Sequence, residues 1–435
     1  MLSDSDLSTN SAILSPWNFA RLVLMLSLCG CSQPSKPMAL YLEGKAAAED
    51  GDEAALNRCL AELPELPENE PVRAMLKGHL YRLQNRPQKA IREFSRANQD
   101  IRTREDSYFE ASRLSYQSKQ FSDVIKLLRQ VIKWNPDRIE AHRLLAAAYY
   151  DIGAMEQAIS SLEEVVRIAP DDFRPHYMKA TILQDFERFG DAEEAFKEAV
   201  SRVPEDTRVS DEVRLGWGDC LVRLRRYDEA LRALENAGEW PDVLARRAQA
   251  NFALRRFEDA RLSATAALRE QPLHLDASVV MAQLEERDGS MDEAIRRLRE
   301  VSEKYPMELP PLLRLADLLA SAGRTEESLQ IRNRSGEIAE LRAQFSKAHQ
   351  EVVRDLTNVS LRLQLAQLAD KLGDHQLAAG WYLAAVGMAP QDASILNQWH
   401  SFLKRHPDLT PSSEVSSEPS TPPFNESGSG SGNNF

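Results

Sequence analysis

Five prolines constrain this chain more than any other feature. Pro136, Pro170 and Pro204 stand 34 residues apart, Pro272 follows after twice that interval, and Pro306 after 34 again. A fixed period of this size marks a chain built from stacked copies of one short unit, each packing on its neighbours alone. The 435 residues therefore set a number of units rather than a number of globular domains.

The unit is helical. In 139–172 the apolar residues recur at steps of three and four, the spacing of one helix face. Gly153 interrupts the run and allows a tight turn, and Pro170 stops the second helix. Leu145, Ala146, Tyr149, Gly153, Ala158, Leu162, Val165 and Pro170 fall where the signature residues of a tetratricopeptide repeat fall, so the segment resembles that family. Small residues such as Ala146 and Ala158 let the paired helices approach closely. The same register marks 71–104 (Gly78, Tyr81, Ala90, Phe94, Ala97), 173–206, 241–274, 275–308 and 359–392.

The resemblance implies an all-α fold: a right-handed superhelical solenoid of about nine or ten helix pairs. Repeats are expected at 37–70, 71–104, 105–138, 139–172, 173–206, 207–240, 241–274, 275–308, 309–342 and 359–392. A helical insertion is expected at 343–358, a capping helix with Trp399 at 393–406, and a disordered tail over the Pro-, Ser- and Gly-rich residues 407–435. Three faults break the ladder. Ser112, Ser115 and Val124 make 105–138 degenerate. Trp217, Gly218, Tyr227, Ala230 and Ala237 agree with one another but slip by four against the prolines, which predicts a longer first helix there. Between Pro306 and Pro390 lie 16 residues more than two repeats, so a long second helix or an added helix is expected over 330–358.

Residues 22–30, LVLMLSLCG, form an apolar run too short to span a bilayer as a helix and suited to a secretory signal. It ends in Leu28-Cys29-Gly30-Cys31, which resembles a bacterial lipobox with Cys31 as the lipid-modified first residue of the mature chain. On this reading 1–30 is the signal peptide, 31–36 a linker, and the protein a membrane-anchored lipoprotein of the cell envelope facing the periplasm. Cys29 at the middle position, and Asp4 and Asp6 in the leader, depart from the usual pattern. The alternative is a soluble cytoplasmic adaptor, or an accessory subunit of an enzyme complex.

No catalytic, cofactor or metal motif is legible. The eight histidines show no ligand spacing, His142 and His176 share one repeat position, and Gly216 and Gly218 lie within a helix pair rather than after a strand. Cys59 and Cys220 read as small buried residues. The net charge of −13 argues against nucleic-acid binding, although 71–138 carry 15 Lys/Arg against 7 Asp/Glu and 139–206 the reverse, 7 against 15. Such an asymmetry can steer a partner.

What remains is an interaction scaffold without enzymatic activity. The resemblance implies that first helices line a concave groove that binds a protein or peptide. Carrying its groove positions over gives Arg113, Tyr116 and Gln117; Arg143 and Tyr150; Arg174, Tyr177, Gln184 and Asp185; and further on Gln249 and Gln283. Tyrosine rings supply contact area and guanidinium groups capture carboxylates. The Lys and Asn pattern of the chaperone-binding carboxylate clamp is absent.

Overall fold

The computed structural model describes residues 35–409, apart from 119, 206, 356 and 357. The leader with Cys31 and residues 410–435 of the expected tail lie outside the described residues. Among the described residues the chain forms 21 α-helices and no strand, and no helix there is long and apolar enough to cross a membrane. One compact unit ends at Ala141 and a second begins at His142.

The first unit holds three helix pairs: α1 (Lys36–Glu49) with α2 (Glu53–Glu62), α3 (Glu70–Leu83) with α4 (Pro87–Ala97), and α5 (Ile101–Gln117) with α6 (Phe121–Trp134). Leu40, Leu56, Leu63, Val72, Met75, Leu76, Phe94 and Leu114 form its core. Packing is close enough that glycine is required at Gly78: a Cβ there would lie 2.4 Å from the Phe94 ring. The degenerate repeat keeps the architecture. Ser112 and Val124 are fully buried, and the Ser112 hydroxyl donates to the Phe109 carbonyl at 2.6 Å, which satisfies it inside the helix.

α7 (Ile139–Asp151) leads into the second unit, followed by its partner α8 (Met155–Ile168). Next come α9 (Phe173–Asp185) with α10 (Phe189–Val200), α11 (Arg208–Arg223) with α12 (Tyr227–Leu234), α13 (Pro241–Ala253) with α14 (Phe257–Glu270), and α15 (Leu275–Arg287) with α16 (Met291–Lys304). The unit ends with α17 (Leu309–Ser321) and α18 (Thr325–Arg354), α19 (Val359–Lys371) and α20 (His375–Met388), and α21 (Ala393–Arg405). Local chemistry sets the boundaries. Asp172, Thr207, His274, Asn358 and Asp392 accept backbone N–H bonds at the starts of first helices. The ladder prolines stand just beyond the ends of second helices.

Among the described residues, the turns inside nine pairs each hold one residue with positive φ. Glycine fills it at Gly51, Gly153, Gly289, Gly323 and Gly373; Asn85, Glu187, Arg225 and Arg255 adopt it with side chains. Arg225 occupies this place only in the phase slipped by four. The slip is therefore real in three dimensions, and α11 has 16 residues against 8 in α12.

The stretch before Pro390 is one continuous second helix of 30 residues, α18, about 45 Å long at the α-helical rise. The boundary expected at 342/343 falls inside it, so no separate insertion element exists. Nothing between Thr325 and Arg354 forces a break: the one glycine, Gly336, is in open space and a lone glycine weakens a helix without ending it. The far half is held by burial. Ala348 and Val352 join Leu365, Trp381, Tyr382, Trp399 and Phe402 in one core, with Leu341 and Phe345 against it. Trp399 packs against Tyr382 and Phe402 in this core. Pro407–Leu409, expected within the tail, form a 3-10 turn, and Leu409 packs on that core.

Candidate partner-binding groove

In the first unit the first helices carry a network of charged groups. Asp106 of α5 accepts from the Tyr41 hydroxyl at 2.5 Å, from Lys45 Nζ at 3.0 Å and from Arg138 Nη2 at 2.9 Å. Burial alone would raise its pKa, but Lys45 and Arg138 outweigh that and hold the carboxyl at about 2. One turn further on, the buried Glu110 meets Arg113 at 3.1 Å and Arg82 at 3.6 Å. His79 lies beside this pair, fully buried and edge-on to Phe94 at 5.4 Å, and burial pushes it down to about 4. Of the three groove residues expected here, Arg113 is tied to Glu110, Tyr116 lies edge-on to Phe121 at 5.9 Å, and Gln117 is exposed. Tyr41, Lys45 and Asp106 were not anticipated. Their repeats, 37–70 and 105–138, were in the expected register, and their charge contacts across two repeats are what the register could not give.

In the second unit the expected residues lie along the first helices, and most are engaged by other groups of this chain. The Tyr150 phenol donates to Asp185, one repeat on. Gln184 Nε2 donates to Asp219 Oδ2 at 2.7 Å; Asp219 pairs with Arg246 at 2.7 Å, and Arg246 with Asp276 at 3.0 Å. A polar chain thus runs from α9 through α11 and α13 to α15. Asp219 was legible in principle: it takes a groove position once the slipped phase of Trp217 and Gly218 is applied. Arg174 is held by two short bonds to Asp172. Tyr177 leans on Phe196 at 6.1 Å, so part of its ring serves packing. Gln249 bonds to Arg246 at 3.1 Å. Arg143 and Gln283 are half-buried.

The expected Arg113 and Arg174, and Arg246 beside Gln249, face carboxylates of this chain. Among the expected residues, the exposed ones are Gln117 and Asp185.

A further contact crosses the second unit. Phe186, which caps α9, stacks on His349 of α18 with ring centroids 6.4 Å apart. His349 also meets Phe345 at 6.0 Å and Trp381 at 5.9 Å, and burial lowers its pKa. Cys59 and Cys220 are free and buried, with the Cys220 thiol pushed up to about 12 by burial. Gly216 and Gly218 serve packing: a Cβ would meet Phe196 at 2.4 Å or Leu234 at 2.7 Å. Among the described residues, one cluster has the side chains to ligate a metal: Asp370, His375 and His406.

Two family profiles described as tetratricopeptide repeat match the chain, one over 115–182 and one over 177–243, 246–306 and 345–393. Together they cover more than half of its length. The second match bridges the long helix and the last repeat. No curated protein matches the sequence. Solved structures that resemble the fold include Naa15/Naa10 bound to HypK-THB, at 15% identity and TM-score 0.38, over 86% of this chain and 66% of that one. The Cut9–Hcn1 hetero-tetramer of the APC/C shows 11% identity and TM-score 0.38, over 84% of each chain. Pseudomonas aeruginosa pilF shows 16% identity and TM-score 0.39, over 50% of this chain and 97% of its own.

Proposed function

Because the chain belongs to the tetratricopeptide repeat family, we propose that it is a non-enzymatic scaffold that binds a protein or peptide along the first helices of its second unit. The observation that supports this reading most is the polar chain from Gln184 through Asp219 and Arg246 to Asp276. It joins four successive first helices and fixes their polar side chains before any partner arrives. A surface ordered in this way loses little side-chain entropy on binding. The exposed Asp185 beside it favours a partner segment that presents amide donors or a cationic group, since the nearby guanidinium groups are already neutralised.

The site is tested by placing a photo-crosslinking amino acid at Gln184 or Asp185 in cells, with Glu164 on a second helix as the control position. A partner that crosslinks from 184 and 185 and not from 164 supports the reading. Equal yields from all three positions would move the site elsewhere.

The scaffold is further proposed to be tethered to a bacterial envelope membrane through a lipid on Cys31, on the strength of the Leu28-Cys29-Gly30-Cys31 sequence. Growth with a labelled fatty acid should mark the wild type and leave Cys31→Ser unmarked. A mature chain beginning at an unmodified Met1 would instead support the soluble adaptor.

A further inference from the structure

Three side chains at the last repeat meet in a way their positions along the chain conceal. Asp370 lies near the end of α19, His375 opens α20, and His406 caps α21. Asp370 Oδ1 is 3.2 Å from His375 Nδ1 and 3.1 Å from His406 Nε2, and the three atoms all lie within 4.8 Å of one another. Ligand bonds of about 2.0–2.1 Å around a tetrahedral ion put neighbouring ligand atoms about 3.3 Å apart. Both measured separations from the carboxylate therefore match an edge of such a tetrahedron.

The surroundings favour the same geometry. Arg405 Nη2 holds the other carboxylate oxygen of Asp370 at 2.8 Å, which leaves Oδ1 turned toward the imidazoles. A partner on the second oxygen is the usual support of a ligating carboxylate. The two imidazole rings stack with centroids 3.9 Å apart, closer than the roughly 5 Å between two imidazoles on one tetrahedral ion; Phe402, 4.8 Å from the His406 ring, steadies that ring, so the more exposed His375 is the one that swings outward on binding. Asp370 and His406 side chains are 12% and 19% exposed and His375 is 41% exposed, so the cluster is anchored on one side and open on the other.

We propose that Asp370, His375 and His406 form a binding site for a divalent transition metal of the zinc class. Two neutral imidazoles and one carboxylate are borderline ligands that suit Zn²⁺ and its neighbours over Ca²⁺ or Mg²⁺. Three protein ligands leave a fourth position for water or for a donor from a partner. The ion would tie α19, α20 and α21 together and so fasten the closing helix to the last repeat. An ion that binds only the folded state stabilises it by RT ln(1 + c/Kd) at a free Zn²⁺ concentration c, so the gain keeps rising with free Zn²⁺. The sequence shows no metal spacing because each ligand comes from a different helix.

The test uses the full chain, freed of metal and titrated with Zn²⁺ by calorimetry at neutral pH, with Co²⁺ absorption as a second readout. The wild type should bind one equivalent, show the visible d–d bands of four-coordinate Co²⁺, and gain thermal stability with Zn²⁺. His375→Ala, His406→Ala and Asp370→Asn should each weaken binding at least about tenfold and lose the bands, while His400→Ala on the exposed face of α21 should bind as the wild type. Circular dichroism reports whether each variant is folded. Should a folded His375→Ala or His406→Ala variant bind like the wild type, or should the wild type show no saturable Zn²⁺ heat, the cluster is an ion-paired carboxylate and the proposal falls.

Discussion

The phenol of Tyr150 donates a hydrogen bond to the carboxylate of Asp185 on the next first helix, 35 residues along the chain. This contact, between residues that the repeat register places on the same face, joins two successive repeats. Burial and then the Asp185 bond raise the phenol well above the ordinary tyrosine range. Asp185 is itself exposed, so water competes for the bond and its net worth is modest. Tyr150→Phe should cost about 1 kcal/mol in urea unfolding, and a double-mutant cycle with Asp185→Asn should show coupling of the same order. Additive effects would mean the bond does not form in solution.

Asp106 gathers Tyr41, Lys45 and Arg138. Its folded pKa of about 2 lies below the unfolded value near 4. The ionised form is therefore favoured by folding, and the contribution is present above pH ~4 and lost as pH falls toward ~2. Asp106→Asn should destabilise the protein by about 2 kcal/mol at pH 7, and the difference from wild type should vanish near the folded pKa. Denaturant titrations across that range check both parts.

His79 acts in the same direction as Asp106 when pH falls, in a window that abuts it from above. It is buried, makes no side-chain hydrogen bond among the described residues, and is pushed down to about 4. Folding keeps it neutral, so as pH falls from ~6.5 to ~4 the unfolded chain takes up a proton that the folded one refuses, and stability drops. His79→Leu removes this penalty. The variant should gain on the wild type by about 2 kcal/mol between pH 7.5 and pH 5; parallel stability curves would show that His79 is protonated or solvated in the fold.

Glu187 sits at φ 58° in the turn where other repeats use glycine. Glu187→Gly should stabilise by about 0.5–1 kcal/mol, since a side chain at positive φ is strained. Gly78→Ala should do the reverse. It raises helix propensity, yet its Cβ would lie 2.4 Å from a ring that is fully buried, so a loss of about 1–3 kcal/mol is expected from overpacking. Thermal unfolding of both variants provides the comparison.

Phe186 stacks on His349 of the long helix. If this contact holds the far half of α18 in place, Phe186→Ala should speed amide exchange over residues 341–352 and leave α7 and α8 unchanged. Unchanged exchange throughout would mean that the core of Ala348, Val352 and Trp381 suffices.

The helix pairs were legible because each is encoded locally. Gly153 and Pro170 punctuate one repeat, Ala146 and Ala158 set its close packing, and the step of four near Trp217 reappears as Arg225 at positive φ. The continuity of α18 was open in the sequence: Gly336 and the charged residues around it suit either one long helix or two. Burial of Ala348 and Val352 against the last repeat decided it. The groove was legible as a set of positions and illegible as chemistry. Position placed Arg113, Arg174 and Asp185 on first helices, but Glu110 and Asp172, which neutralise the arginines, lie on the same helix or just before it, and a side chain's choice between neighbours depends on rotamer and burial.

By itself, then, the sequence determined the repeat, its period and its faults, because turn residues and helix-face periodicity act over a few residues. Only the tertiary structure decided which polar groups are spent on one another: Tyr150 with Asp185, Asp106 with Lys45 and Arg138, and Asp370 with His375 and His406. These pairs join helices up to nearly two repeats apart, as Lys45 and Asp106 are over 61 residues, and hydrogen bonds are selective over tenths of an ångström, a precision that periodicity along a chain does not carry.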